Sequence, residues 1–128
     1  MTTAKKSVLF TPVKLGAVQL KHRVVMAPLT RSRASQPDSI PGGLMAEYYR
    51  QRASDGGLII GEATNISITG RGWLGSPGLY TEEQVQGWRK VVSAVHAKGG
   101  LIFAQLWHTG RSSHVELTGG GDPGFCIC

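Results

Sequence analysis

Three short apolar runs in this chain each end in side chains able to bind, donate or accept. Arg23-Val24-Val25-Met26-Ala27 runs into Pro28-Leu29-Thr30. Leu58-Ile59-Ile60 runs into Gly61-Glu62-Ala63-Thr64. Leu101-Ile102-Phe103-Ala104 continues through Gln105-Leu106 to Trp107, His108, a Thr-Gly turn and Arg111. A near-continuous apolar run of this length is the pattern of a strand buried on both faces of a parallel sheet. An amide inside such a strand must find hydrogen-bond partners, so Gln105 is either satisfied by neighbouring backbone or faces a polar ligand. Thr30 either caps a turn or presents its hydroxyl to that same ligand. His108 either caps a loop or joins the site. Polar and aromatic side chains gathered at the C-terminal ends of parallel strands are where α/β barrels carry out their chemistry.

The elements between these runs position them. Val13-Lys14-Leu15 and Val18-Gln19-Leu20-Lys21 alternate around Gly16-Ala17, which predicts a β-hairpin, placed as a lid over one end of the core. Breaker residues Pro37, Asp38, Pro41, Gly42 and Gly43 make 34–43 a loop. Met45, Tyr48, Tyr49 and Ala53 share one face of a helix predicted over Leu44–Ser54, with Gly56-Gly57 behind it. Residues 65–80 form a glycine-rich loop with Trp73 in its middle, packed over the core rim or a ligand. Thr81-Glu82-Glu83-Gln84 matches a capping box. The helix it opens runs to about Lys98, with Val85, Trp88, Val92 and Val95 as its stripe. Helices of this length between buried strands indicate parallel βα units. No Gly-rich phosphate loop follows the first strand, as a doubly wound dinucleotide fold would have, so the pattern favours a barrel.

Composition narrows the function classes. The 128 residues allow one ordinary domain at most. Fourteen Lys and Arg against eight Asp and Glu give a net charge of +6, but the basic residues collect on no tract or helix face, and no nucleic-acid motif is present. Nucleic acid is therefore not an expected partner, nor is a membrane, since no run of about 18 apolar residues exists. Without a signal-like h-region, a cytoplasmic protein is expected. Cys126 and Cys128 stand in the last three residues; two cysteines without further ligands make neither a zinc site nor a disulfide framework, so no metal is expected.

Four segments in order carry a family resemblance: MAPLTRSR, EYYRQRASDGGLIIGEAT, GWLGSPGLYTEEQ and VHAKGGLIFAQLWHTGR. From about Leu9 to His114 the chain resembles the Old Yellow Enzyme family of flavin-dependent ene-reductases. The resemblance implies the N-terminal part of a (β/α)8 TIM barrel, a β-hairpin lid plus about three βα units, with FMN at the C-terminal mouth. It implies that Pro28, Leu29 and Thr30 line the flavin, with the Thr30 hydroxyl near the C4 carbonyl. It implies that Ala63 approaches the flavin through its backbone and Gln105 bonds the pyrimidine edge. Trp107 would border the substrate pocket, joined by Trp73, which stands where many relatives have Tyr. In the family, NAD(P)H reduces FMN, which passes hydride to an electron-poor alkene such as an enone, a maleimide or a nitro compound.

The resemblance also marks what this sequence does not contain. The family's His-x-x-His or His-x-x-Asn pair, its proton-donor Tyr and its phosphate-binding loops are absent, and His108 and His114 have the wrong place and spacing for that pair. No catalytic residue is therefore assigned. The expected organisation is an N-terminal tail over 1–8, the barrel portion over 9–114, and an irregular tail over 115–128 that departs from the family pattern. A whole barrel takes about 250 residues, so the chain reads as a truncated reductase, expected to be inactive alone. The alternatives are a non-enzymatic half-barrel, unstable or completed by a complementary C-terminal barrel chain, and a small basic binding module.

Overall fold

The computed structural model describes residues 7–120. After a 3-10 turn at Val8–Phe10 come β1 (Val13–Leu15) and β2 (Val18–Leu20), then β3 (Val25–Met26), α1 (Gly43–Arg52), β4 (Leu58–Asn65), α2 (Glu82–His96) and β5 (Leu101–Trp107). β1 and β2 form the expected antiparallel hairpin, with Val13 opposite Leu20. The other three strands form a parallel sheet in the order β3-β4-β5.

Both helices cover one face of that sheet. Met45, Tyr48 and Tyr49 of α1 and Trp88, Val91 and Val95 of α2 enclose Ile59 of the central strand, with Met26 and Ile102 packed at the margins. Tyr48 meets Tyr49 edge-on, ring centroids 5.2 Å apart, a favoured arrangement for aromatic quadrupoles. The Trp88 indole donates to the Gly78 carbonyl at 3.0 Å, so its one polar atom is satisfied inside the core.

The capping box forms as the sequence predicts. Thr81 Oγ1 accepts from the Gln84 amide, and Gln84 Oε1 accepts from the Thr81 amide. Gln84 is itself buried and donates from Nε2 to the Asp38 carbonyl at 2.8 Å, tying α2 to the loop before α1. The buried stripe of α2 differs from the predicted one. Trp88 and Val95 are buried, but Val85 and Val92 are half-buried, and Gln84, Gly87 and Val91 complete the inner face. The rotation follows from close packing on the Ile40-Pro41 segment: a Cβ on Gly87 would lie 2.6 Å from the Pro41 carbonyl.

Two strand expectations change. The first strand is only two residues long, because only Val25 and Met26 find partners on β4, Leu58 and Ile59. β4 is buried along nearly its whole length, as the apolar run predicts. β5 is not: it is a mixture of half-buried and exposed positions, with Phe103 42% and Leu106 59% exposed. Among the described residues β5 is an edge strand, with no strand on its far side. The sheet face turned away from the helices, carrying Val25, Ile60 and Phe103, has no layer across from it among the described residues.

The hairpin sits at the N-terminal end of the strands. The Lys21 amide donates to Gly56, just before β4, and the Gly56 amide donates to Gly99, just before β5. Leu20 is buried there. The opposite, C-terminal end is left to the loops that follow β3, β4 and β5. In 115–120 there is no helix or strand; the cysteines of the tail lie outside the described residues.

Candidate functional site

At that C-terminal end a cavity of about 380 Å³ is lined by Thr30, Ser32, Trp73 and Trp107. Each lining residue comes from a different consequence of the fold. Thr30 and Ser32 follow β3, Trp73 stands in the loop after β4, and Trp107 ends β5.

Strand register extends the site inward. Ala63 pairs with Gln105, and Asn65 pairs with Trp107. Residues two apart on a strand share a face, so Gln105 lies one step below Trp107 on the cavity's side, with Ala63 beside it. A bulge in β4 makes this possible. Between Ile60, opposite Phe103, and Ala63, opposite Gln105, β4 holds one residue more than β5. The extra residue returns Ala63 to the inner face and leaves Glu62 aimed at the helices.

The polar groups divide into satisfied and unsatisfied sets. Thr64 Oγ1 donates to the Glu62 carbonyl, and His108 Nδ1 accepts the Gly110 amide at 2.9 Å, which makes His108 a loop cap. By contrast, the Thr30 hydroxyl and the half-buried Gln105 amide take part in no hydrogen bond among the described residues. Thr30 is exposed and Gln105 half-buried, so both polar groups are open to a ligand at this end of the sheet. Thr30 offers a hydroxyl that donates or accepts, and Gln105 an amide that does both, a set suited to a ligand with carbonyl and N–H edges. Pro28 and Leu29 are exposed, and Leu29 lines the cavities beside Tyr48 and Arg52 rather than the one at Thr30.

Trp73 and Trp107 stack, with centroids 5.0 Å apart and planes 15° from parallel. Trp107 Nε1 donates to Asn65 Oδ1 at 2.9 Å, and Asn65 Nδ2 donates to Ser76 Oγ and to the Pro77 carbonyl. One buried amide at the end of β4 thus fixes both the indole and the loop that carries its partner. Asn65 was not singled out by sequence reasoning. The available signal is an Asn at the end of an apolar strand, and its partners are 11 to 42 residues away.

Glu62 is a second residue whose work is invisible locally. It is fully buried. Burial holds its carboxyl above the ordinary value of 4.5, against the opposing pull of its hydrogen bonds from Arg31, Tyr49 and Ser32. An acid whose native pKa is raised binds its proton more tightly in the folded state, so its contribution to stability is complete below 4.5 and is lost as pH rises through the raised value. The native chain is expected to lose stability as pH rises above 4.5, and Glu62→Gln to flatten this slope. Urea unfolding of both at mildly acidic and neutral pH checks it; parallel pH profiles would show that Glu62 is not the group responsible.

The wider comparisons agree with this geometry. Residues 8–122 match the model of the NADH:flavin oxidoreductase / NADH oxidase family. The chain is 52% identical over 118 residues to the flavin oxidoreductase hxnT of Emericella nidulans, covering 90% of this chain and 30% of that protein. It is also 52% identical over 110 residues to 12-oxophytodienoate reductase 7 of Oryza sativa subsp. japonica, covering 86% and 27%. Among solved structures, morphinone reductase in complex with tetrahydroNAD superposes with a TM-score of 0.80 at 59% identity, covering 87% of this chain and 30% of that one. The old yellow enzyme homologue from Zymomonas mobilis superposes with a TM-score of 0.83 at 52% identity, covering 88% and 31%. The sheet, its two helices and its hairpin are thus part of a TIM barrel, and the chain spans about 30% of the length of these relatives. No described helix is long and apolar enough to cross a membrane. By the extent of the family match and the shared fold, the chain belongs to the NADH:flavin oxidoreductase / NADH oxidase family, among the relatives of old yellow enzyme.

Proposed function

We propose that this chain supplies the flavin-facing part of an FMN-dependent ene-reductase of the cytoplasm, with NAD(P)H as reductant and an electron-poor alkene as acceptor. The observation that carries the reading is the Thr30–Ser32–Trp73–Trp107 cavity at the strand ends, with Gln105 and Ala63 paired beneath it on the same face. FMN, when bound, supplies the hydride chemistry. The Thr30 hydroxyl donates a hydrogen bond to the flavin edge where negative charge develops; a donor already in place needs no reorganisation at the moment of reaction. The Gln105 amide donates and accepts along the pyrimidine edge and so sets the ring's orientation. Ala63 has a side chain small enough for a close approach to its backbone. Trp73 and Trp107 form a stacked aromatic wall that borders the substrate.

Residues that activate the alkene and deliver its proton come, in this reading, from the remaining barrel. The open edges of β3 and β5 favour a complementary C-terminal barrel chain as the partner that carries them. Neither nucleic acid nor a membrane has a role.

A graft tests the reading. Residues 9–114 of this chain replace the matching segment of morphinone reductase, to which the chain is 59% identical. The graft is expected to purify with FMN bound and to oxidise NAD(P)H when 2-cyclohexenone is added. A soluble graft that binds no flavin would count against the cavity as a flavin site; one that binds flavin without enone turnover would count against the substrate class.

A further inference from the structure

The segment that presents Thr30 and Ser32 to the cavity has almost no backbone support of its own. β3 ends at Met26, and the next backbone–backbone hydrogen bond along the chain is Ala34 to the Gly75 carbonyl. Over 29–33, the only hydrogen bonds to the backbone among the described residues come from one side chain. Glu62 Oε2 accepts the Arg31 amide at 3.2 Å and the Ser32 amide at 3.3 Å.

The carboxylate is itself held from the helix side. Tyr49 donates its hydroxyl to Glu62 Oε1 at 3.2 Å, and the same hydroxyl oxygen accepts the Glu62 amide at 2.7 Å. Tyr49 is completely buried in the core between α1 and α2. The β4 bulge turns Glu62 toward this pair while Ala63 returns to the inner face.

The gripped segment is also strained. Ser32 has φ +53, in the left-handed region that residues with a Cβ adopt at a cost. Such a conformation persists only when its surroundings over-determine it. Here it is fixed from two sides: by Glu62 at the Ser32 amide, and by Gly75, where an added Cβ would collide with the Ser32 carbonyl oxygen.

We propose that Glu62 is a positioning residue of the cavity: through the Arg31 and Ser32 amides it holds Thr30 and Ser32 at the ligand face and ties their placement to α1 through Tyr49. The inference goes beyond the flavin reading and does not depend on it, because the placement concerns the chain's own backbone. A glutamine at this position keeps one acceptor oxygen for the two amides. Its nitrogen can donate to the Tyr49 oxygen, so geometry survives without charge. An alanine leaves both amides without a partner.

Amide hydrogen exchange of the full 128-residue chain, read by mass spectrometry at the low concentration its open sheet edges require, tests this for the native chain, Glu62→Gln and Glu62→Ala. Removing the acceptor of an amide hydrogen bond is expected to speed its exchange by about tenfold or more. Arg31 and Ser32 are expected to be protected in the native chain and in Glu62→Gln, and to lose that protection in Glu62→Ala, while the β4–β5 ladder amides keep theirs. Three results would overturn the proposal: unprotected Arg31 and Ser32 in the native chain, unchanged protection in Glu62→Ala, or a loss spread evenly over the ladder. Should Glu62→Ala unfold, Tyr49→Phe decides instead: it keeps the core ring and removes the hydroxyl, so exchange at Arg31 and Ser32 is expected to speed up relative to the native chain by more than at the ladder amides, and an equal change at both rejects the role. No flavin enters either readout, so a failure to bind FMN in the graft and a failure here are separate results.

Discussion

Purified by itself, the 128-residue chain is expected to be poorly soluble, colourless, and unable to oxidise NAD(P)H in the presence of 2-cyclohexenone. The reason is the sheet. β3 and β5 are both edges, and an edge strand presents unpaired amides and carbonyls that a closed barrel would consume. Val25 and Phe103, 43% and 42% exposed, belong to a face that barrels fill with stacked side-chain layers. In the proposed reading Thr30 and Gln105 would address only one side of a ligand, and no phosphate-binding loop lies among the described residues. The chain also has no His-x-x-His or His-x-x-Asn pair to activate an alkene, and general acid–base or electrostatic groups of that kind each contribute roughly 10²-fold or more in rate. Absorbance between the ultraviolet and blue, gel filtration and a coupled NAD(P)H assay check the three parts of this expectation. A soluble, monomeric, yellow preparation with steady enone turnover would overturn it.

In the morphinone reductase graft, Thr30→Ala is expected to slow reduction of the flavin by NAD(P)H by about ten- to a hundredfold, the range given by losing one hydrogen bond to a developing charge. Thr30 lines the cavity and makes no hydrogen bond among the described residues, so its replacement removes a donor without leaving one of their polar groups unpaired. The fold is therefore expected to be unaffected, with the loss confined to the reductive half-reaction in stopped flow. An unchanged or faster half-reaction would remove Thr30 from the flavin edge. A parallel drop in flavin content would indicate a binding role instead.

The sequence by itself determined the elements and their order. Periodicity of 3.6 placed Met45, Tyr48 and Tyr49 on one face of α1, the Thr81–Gln84 box set the start of α2, and the Gly-Ala turn set the hairpin; all are readable within one or two turns of chain. The same residues carried the family resemblance, and with it the barrel. Only the tertiary structure decided what each polar side chain does. Thr30, Trp73 and Trp107 share one cavity although up to 77 residues separate them along the chain. Glu62, Ala63 and Thr64 look alike as a polar strand end, yet one extra residue in β4 sends Glu62 to the helices and Ala63 to the inner face. His108 became a loop cap and Asn65 a hub for reasons of register and loop path, which no local window contains. The exposure of β5 was likewise invisible, because an apolar run records the burial a strand is built for, whereas its actual burial depends on which neighbours stand beside it.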